Sequence, residues 1–305
     1  QILLLLGFTV AAPYFLLSST GPLLQAWAAR STQKASTNLE QIYRLFALSN
    51  LASLIALLSY PFLIEPYFSV SQQAKAWSGL FVVFAFLCTA CTFLSLKKAS
   101  LAQQAFAKNL SVENSRKELK PSVSSYLLWL ILPSLACVLL LSITTHITQN
   151  VASVPFLWLL PLCLYLLTFI LCFESGVWYR RWLFYPLLIA LLPLMAWGLS
   201  KDNAVLSFKY ALPLYCMGLF VGCMFCHGEL ARIKPQAQYL TRFYLFLSLG
   251  GAIGGISVSL LAPLVFVGYW ELPLALIMTG LMLWLVNAKE ALLIPWLSAC
   301  LFALG

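Results

Sequence analysis

Basic residues in this chain avoid the long apolar runs and crowd into every second gap between them, and few folds accommodate that pattern. Runs of about 20 apolar residues match the ~30 Å hydrocarbon core of a bilayer. Inside that core each backbone polar group must find its partner within the segment, which makes such runs helices. Only 9% of the 305 residues are charged, too few to clothe a water-exposed surface. The pattern predicts an all-α, polytopic membrane protein and excludes a soluble globular domain.

The runs cover residues 2–29, 43–64, 77–96, 126–147, 154–173, 182–199, 210–226, 243–266 and 272–286. Pro13 and Gly21-Pro22 interrupt the first. A tenth begins near Ala291 and is still apolar at Gly305, a stretch too short to cross a bilayer upright. The expectation is about nine complete transmembrane helices and a truncated tenth. Of the 18 lysines and arginines, all but Lys75, Lys201 and Lys209 lie in alternate connections. These are Arg30 to Arg44, Lys97 to Lys120, Arg180-Arg181, Arg232 to Arg242, and Lys289. Because Lys and Arg accumulate on the cytoplasmic side, those connections are expected inside and residue 1 outside. The net charge of +9 is then a product of membrane orientation. No basic run has the aromatic interleaving of a nucleic-acid surface, so the expected partners are the lipid bilayer and other integral membrane subunits.

Residues 97–125 form the one long connection, rich in Ser, Lys, Glu and Gln. They separate a first membrane segment, 1–96, from a second, 126–305. The stretch reads as a flexible cytoplasmic linker, although Leu101, Ala105, Phe106 and Leu110 fall at helical spacing and would suit a surface helix. Residue 1 is Gln with no basic flank before the first run, so both ends read as truncated.

Several motifs carry possible chemistry. Cys223-Met-Phe-Cys226-His227 has the C-x-x-C-H spacing of haem attachment. It lies at the expected cytoplasmic end of an apolar run, opposite to where such haem is attached, so no cofactor is assigned. Cys88 and Cys91 sit within another run, where cysteine acts as a small hydrophobe. Gly250, Gly251, Gly254, Gly255 and Ser259 lie within one span at small-xxx-small spacing, which suits close helix packing rather than a phosphate loop. No catalytic or metal-binding set is identified.

Polar candidates gather at both ends of the runs. Thr145, His146 and Gln149 lie in an uncharged polar cluster at the expected outer end of the fourth run. They fit either a plain helix end or a polar binding pocket. Glu65 and Glu271 border the outer side beside prolines, as water-exposed helix ends or as attractors for a cationic solute. His227, Glu229 and Arg232 end the seventh run before Pro235. Arg232 there complements the helix dipole, and the three together also read as a cytoplasmic docking surface.

Certain segments point further. They are Ser19-Thr20-Gly21-Pro22-Leu23-Leu24-Gln25, Leu48-Ser49-Asn50-Leu51 continuing to Tyr60-Pro61-Phe62-Leu63-Ile64-Glu65-Pro66, and Thr145-His146-Ile147-Thr148-Gln149. With them go Val154-Pro155-Phe156-Leu157-Trp158-Leu159-Leu160-Pro161-Leu162, Cys226-His227-Gly228-Glu229-Leu230-Ala231-Arg232 and Ala262-Pro263-Leu264-Val265. In this order the chain resembles the membrane part of the spermidine-synthase-like transmembrane proteins, a bacterial family described as a transporter-like membrane domain fused to a spermidine synthase domain. The resemblance implies a bacterial inner membrane, further spans before residue 1, and in many members a cytoplasmic aminopropyltransferase-type domain after the last span. That soluble domain's glycine-rich loop and acidic residues are not in this chain, so no catalytic residue is carried over. Three roles stay open: polyamine-related anchoring or transport beside a synthase domain, a stand-alone small-solute transporter, and a non-catalytic accessory subunit of a larger membrane complex.

Overall fold

The computed structural model describes residues 37–106, 121–150, 156–199, 208–236 and 239–287, with Leu5, Gly7, Leu17, Thr20 and Gly21. The elements are all helical: α1 (Thr37–Ser59), α2 (Val70–Phe106), α3 (Val123–Asn150), α4 (Phe156–Glu174), α5 (Arg181–Gly198), α6 (Phe208–Arg232), α7 (Leu240–Ile256) and α8 (Glu271–Asn287). A π-helical turn, Tyr60–Ile64, extends α1, and another, Ser257–Leu261, carries α7 into a short helix, Ala262–Val265. Both wide turns lie beside a proline, Pro61 and Pro263, whose missing N–H breaks the regular ladder.

Eight of the ten expected runs fall on described residues, and each is helical. Seven helices are long and apolar enough to cross a membrane, and Glu271–Asn287 is a shorter apolar helix. At 1.5 Å per residue it rises about 26 Å, short of a ~30 Å core. The first run, apart from five residues, and the run from Ala291 lie outside the described residues. The expected count of nine spans and a truncated tenth is therefore not reached among them.

The expected linker differs in one respect. Helix α2 does not stop at residue 96 but continues to Phe106. No Gly or Pro interrupts Leu101-Ala-Gln-Gln-Ala-Phe106, and these residues propagate a helix well. The 37 residues extend about 55 Å, while the apolar part ends at Leu94. Lys97 and Lys98 thus belong to a helix that outruns its apolar portion. Residues 107–120 lie outside the described residues. The Ser122 hydroxyl then accepts the Ser125 N–H and caps the start of α3.

The chain divides into two compact units, 1–45 with 55–121 and 46–54 with 122–305. In the first, apolar side chains of α2 such as Leu80, Phe86 and Leu87 are mostly exposed, a surface suited to lipid rather than water. The second is built on α3 and α6, against which α4, α5, α7 and α8 pack. Trp129, Leu132, Ala136, Leu139, Ile143 and Ile147 make a buried stripe on α3. Tyr215, Leu219, Cys223, Cys226 and Leu230 make one on α6. Steps of three and four residues keep each stripe on one helix face. Trp129 also donates its indole N–H to the Ile233 carbonyl at 3.1 Å, serving an orphan carbonyl just past the end of α6.

Glycines set the tightest approaches. A Cβ on Gly250 would strike the Leu130 carbonyl and Pro133, and one on Gly254 would strike the Ser134 carbonyl. Helix α7 therefore lies backbone-close to α3. Gly251 and Gly255 face open space among the described residues, and Ser259 is exposed. The close approach runs along one pair of glycines, not both.

Candidate functional site

Among the described residues of the second unit, a dense polar arrangement lies where α6 ends. Glu229 is buried on the last turn of α6. Arg181, the first residue of α5, reaches it with both arms of its guanidinium: Nε donates to Oε1 at 2.7 Å and Nη2 to Oε2 at 2.6 Å. Tyr179 and Tyr185 donate their hydroxyls to Oε1 at 2.8 and 3.0 Å. Arg232 stands 3.7 Å from the same oxygen. Gly228 makes room for this, because a Cβ there would run into the Tyr179 ring. Arg181 also lies over the Tyr185 ring at 5.5 Å, adding a cation–π contact.

The helix dipoles do not explain this pair. A cation at the start of α5 and an anion near the end of α6 each occupy the unfavourable pole. Each charge is held by the other, through the bidentate geometry that gives Arg–carboxylate pairs their strength. Deleting one partner of a buried pair strands the other, typically at a cost of about 3–5 kcal/mol. Three donors converge on Oε1 and one on Oε2, which makes the carboxylate a clamp between the two helices. Tyr179 lies between the apolar helices, and burial, then the Glu229 charge, pushes its phenol well above the ordinary value. It stays protonated and donating at neutral pH.

Two residues earlier on α6, His227 is fully buried against α4. Its Nδ1 lies 3.0 Å from the Thr168 hydroxyl. That hydroxyl spends its hydrogen on the Tyr165 carbonyl at 2.7 Å, so by the logic of the network His227 donates from Nδ1. Nε2 is then a bare lone pair, with no hydrogen-bond partner among the described residues. The rings of Phe169 and Tyr165 lie 4.4 and 4.9 Å from the imidazole. Cys223 and Cys226 are equally buried, with the Cys223 thiol against the Ala136 carbonyl at 3.9 Å. No group of three or more potential metal ligands is present among the described residues.

The expected docking surface is corrected by this geometry. His227 and Glu229 are inside the bundle, and only Arg232 is exposed. The apolar helix that carries them also buries them, once a partner neutralises the charge. Arg181, Tyr179, Tyr185 and Thr168 escaped the sequence reading because they lie 44 to 59 residues from their partners. One signal was present. The alternation of basic connections already places Arg180-Arg181 and Glu229 at the same end of their helices.

At the other end of α3 lies the expected polar cluster. His146 is half-buried, edge-on to Tyr215 with ring centres 4.4 Å apart. The hydroxyls of Thr144 and Thr148 donate to carbonyls of their own helix. Thr145 is half-buried and Gln149 exposed. Glu65 is exposed in the first unit; Glu271 is half-exposed in the second, on the rim of an apolar groove. Comparison of the chain with protein-family models, with curated proteins and with solved structures returns no match.

Proposed function

We propose that this chain is the membrane-embedded part of a bacterial inner-membrane protein of the spermidine-synthase-like kind, and that it serves polyamine chemistry as an anchor. In this reading nine to ten spans cross the membrane, with the Lys/Arg-rich connections in the cytoplasm. The observation that carries the anchoring role is the clamp at Glu229. It ties the start of α5 to the end of α6 at the basic end of the helices, where a synthase-type domain would be held. A bidentate buried pair with two tyrosine donors makes that end stiff. Near His146 the Thr144 and Thr148 hydroxyls donate to carbonyls of their own helix and the imidazole meets the Tyr215 ring; a transporter with its site there is the competing reading.

Sealed vesicles holding the purified protein test the choice. Labelled putrescine or spermidine should enter no faster than into protein-free vesicles. Saturable uptake that disappears in His146→Ala would overturn the anchor and establish a transporter with its site at the outer cluster.

A further inference from the structure

The groove beneath Glu271 has the dimensions and chemistry of a lipid seat. It encloses about 350 Å³ between α3, α7 with its π-helical turn, and α8. Its walls are apolar, with Val138, Ile253, Val258, Phe266, Met278 and Met282 among them. The wide turn Ser257–Leu261 flares one wall outward. The hydroxyl of Ser257, which faces the groove, is already donated to the Ile253 carbonyl at 2.7 Å. Along α8 the groove runs from Glu271 to Met282, roughly 17 Å at 1.5 Å per residue. That is close to half of a ~30 Å hydrocarbon core, the depth of one leaflet.

The Glu271 end carries independent marks of the membrane surface. Tyr269 and Trp270, immediately before it, are exposed, and such aromatics settle at headgroup level. No hydrogen bond or ion pair engages the Glu271 carboxylate among the described residues. A free anion thus tops an apolar channel one leaflet deep. We propose that this groove binds one acyl chain of a phospholipid whose headgroup ends in a primary ammonium, with that ammonium donating to the Glu271 carboxylate. The ammonium supplies both charge and N–H donors. A quaternary headgroup supplies charge alone, and a glycerol headgroup brings a net anionic lipid.

The inference is independent of the anchoring role and survives its failure. Native mass spectrometry of the protein extracted from nanodiscs of equal phosphatidylethanolamine, phosphatidylcholine and phosphatidylglycerol reads it directly. The wild-type protein should retain phosphatidylethanolamine over the other two. Glu271→Gln should lower that preference about tenfold, the size of a lost charge-assisted hydrogen bond. Met278→Trp, which fills the groove, should reduce retention of every lipid. Equal retention of the three lipids by the wild-type protein, which requires no variant to fold, overturns the proposal. So does an unchanged preference in Glu271→Gln.

Discussion

Glu229 shows how one carboxylate becomes compatible with an apolar helix. Its Oε1 accepts from Tyr179, Tyr185 and Arg181, and Oε2 takes the second arm of Arg181. Tyr179 is the member whose protonation can be followed. Burial, then the neighbouring carboxylate, raises its pKa in the folded protein above the value near 10 of an unfolded chain. The folded state therefore holds the proton more tightly. The contribution to stability is complete below about pH 10 and declines as pH rises beyond it, because the unfolded chain releases the proton first. In mild detergent, melting temperature should fall as pH is raised from 9 to 11.5. Tyr179→Phe should lower stability at pH 8 by about 1 kcal/mol, the net worth of one hydrogen bond. It should also flatten the alkaline decline. A variant that melts in parallel with the wild-type protein over that range would remove Tyr179 as its source.

Among the elements, α7 illustrates what a spacing reveals and what it withholds. The paired small residues along 250–259 announce close packing, but sequence periodicity cannot say which of two adjacent faces meets the neighbour. The contact with α3 selects Gly250 and Gly254, because Pro133 and the Leu130 and Ser134 carbonyls lie there. Gly251 and Gly255 are turned away. Gly250→Ala should therefore destabilise the protein by about 1–3 kcal/mol through overpacking. Gly251→Ala should be neutral or stabilising by up to about 1 kcal/mol, because alanine is the better helix former. Thermal melts of the two variants decide this, and equal losses would mean that both faces are packed. A similar limit applied to α2. Its apolar run ends near residue 96, yet helix propensity carries the backbone on to Phe106, so the end of hydrophobicity was not the end of the element.

For the chain as a whole, the run pattern was legible because a bilayer leaves so few solutions: eight of the expected runs are helices where they were expected. The polar interior was not legible, because Glu229 and Arg181 meet only after two separate helices dock. That meeting nonetheless constrains topology. Glu229 engages both Arg181 and Arg232, and Arg242 points its guanidinium at the Tyr126 hydroxyl, 3.5 Å away. The connection before α5, the one between α6 and α7, and the start of α3 thus share one end of the second unit, and it is the basic end. If that end faces the cytoplasm, as the Lys/Arg bias demands, the connection between α5 and α6 faces outward. A membrane-impermeant thiol reagent should then label Lys201→Cys in intact cells and Arg180→Cys only after permeabilisation, each measured against the wild-type background of nine cysteines. Arg180 suits this test because it is exposed and takes no part in the clamp. The reverse labelling pattern would invert the orientation and move the clamp outside, where it could not serve a cytoplasmic synthase domain. The groove beneath Glu271 would then open toward the inner leaflet with its lipid chemistry unchanged.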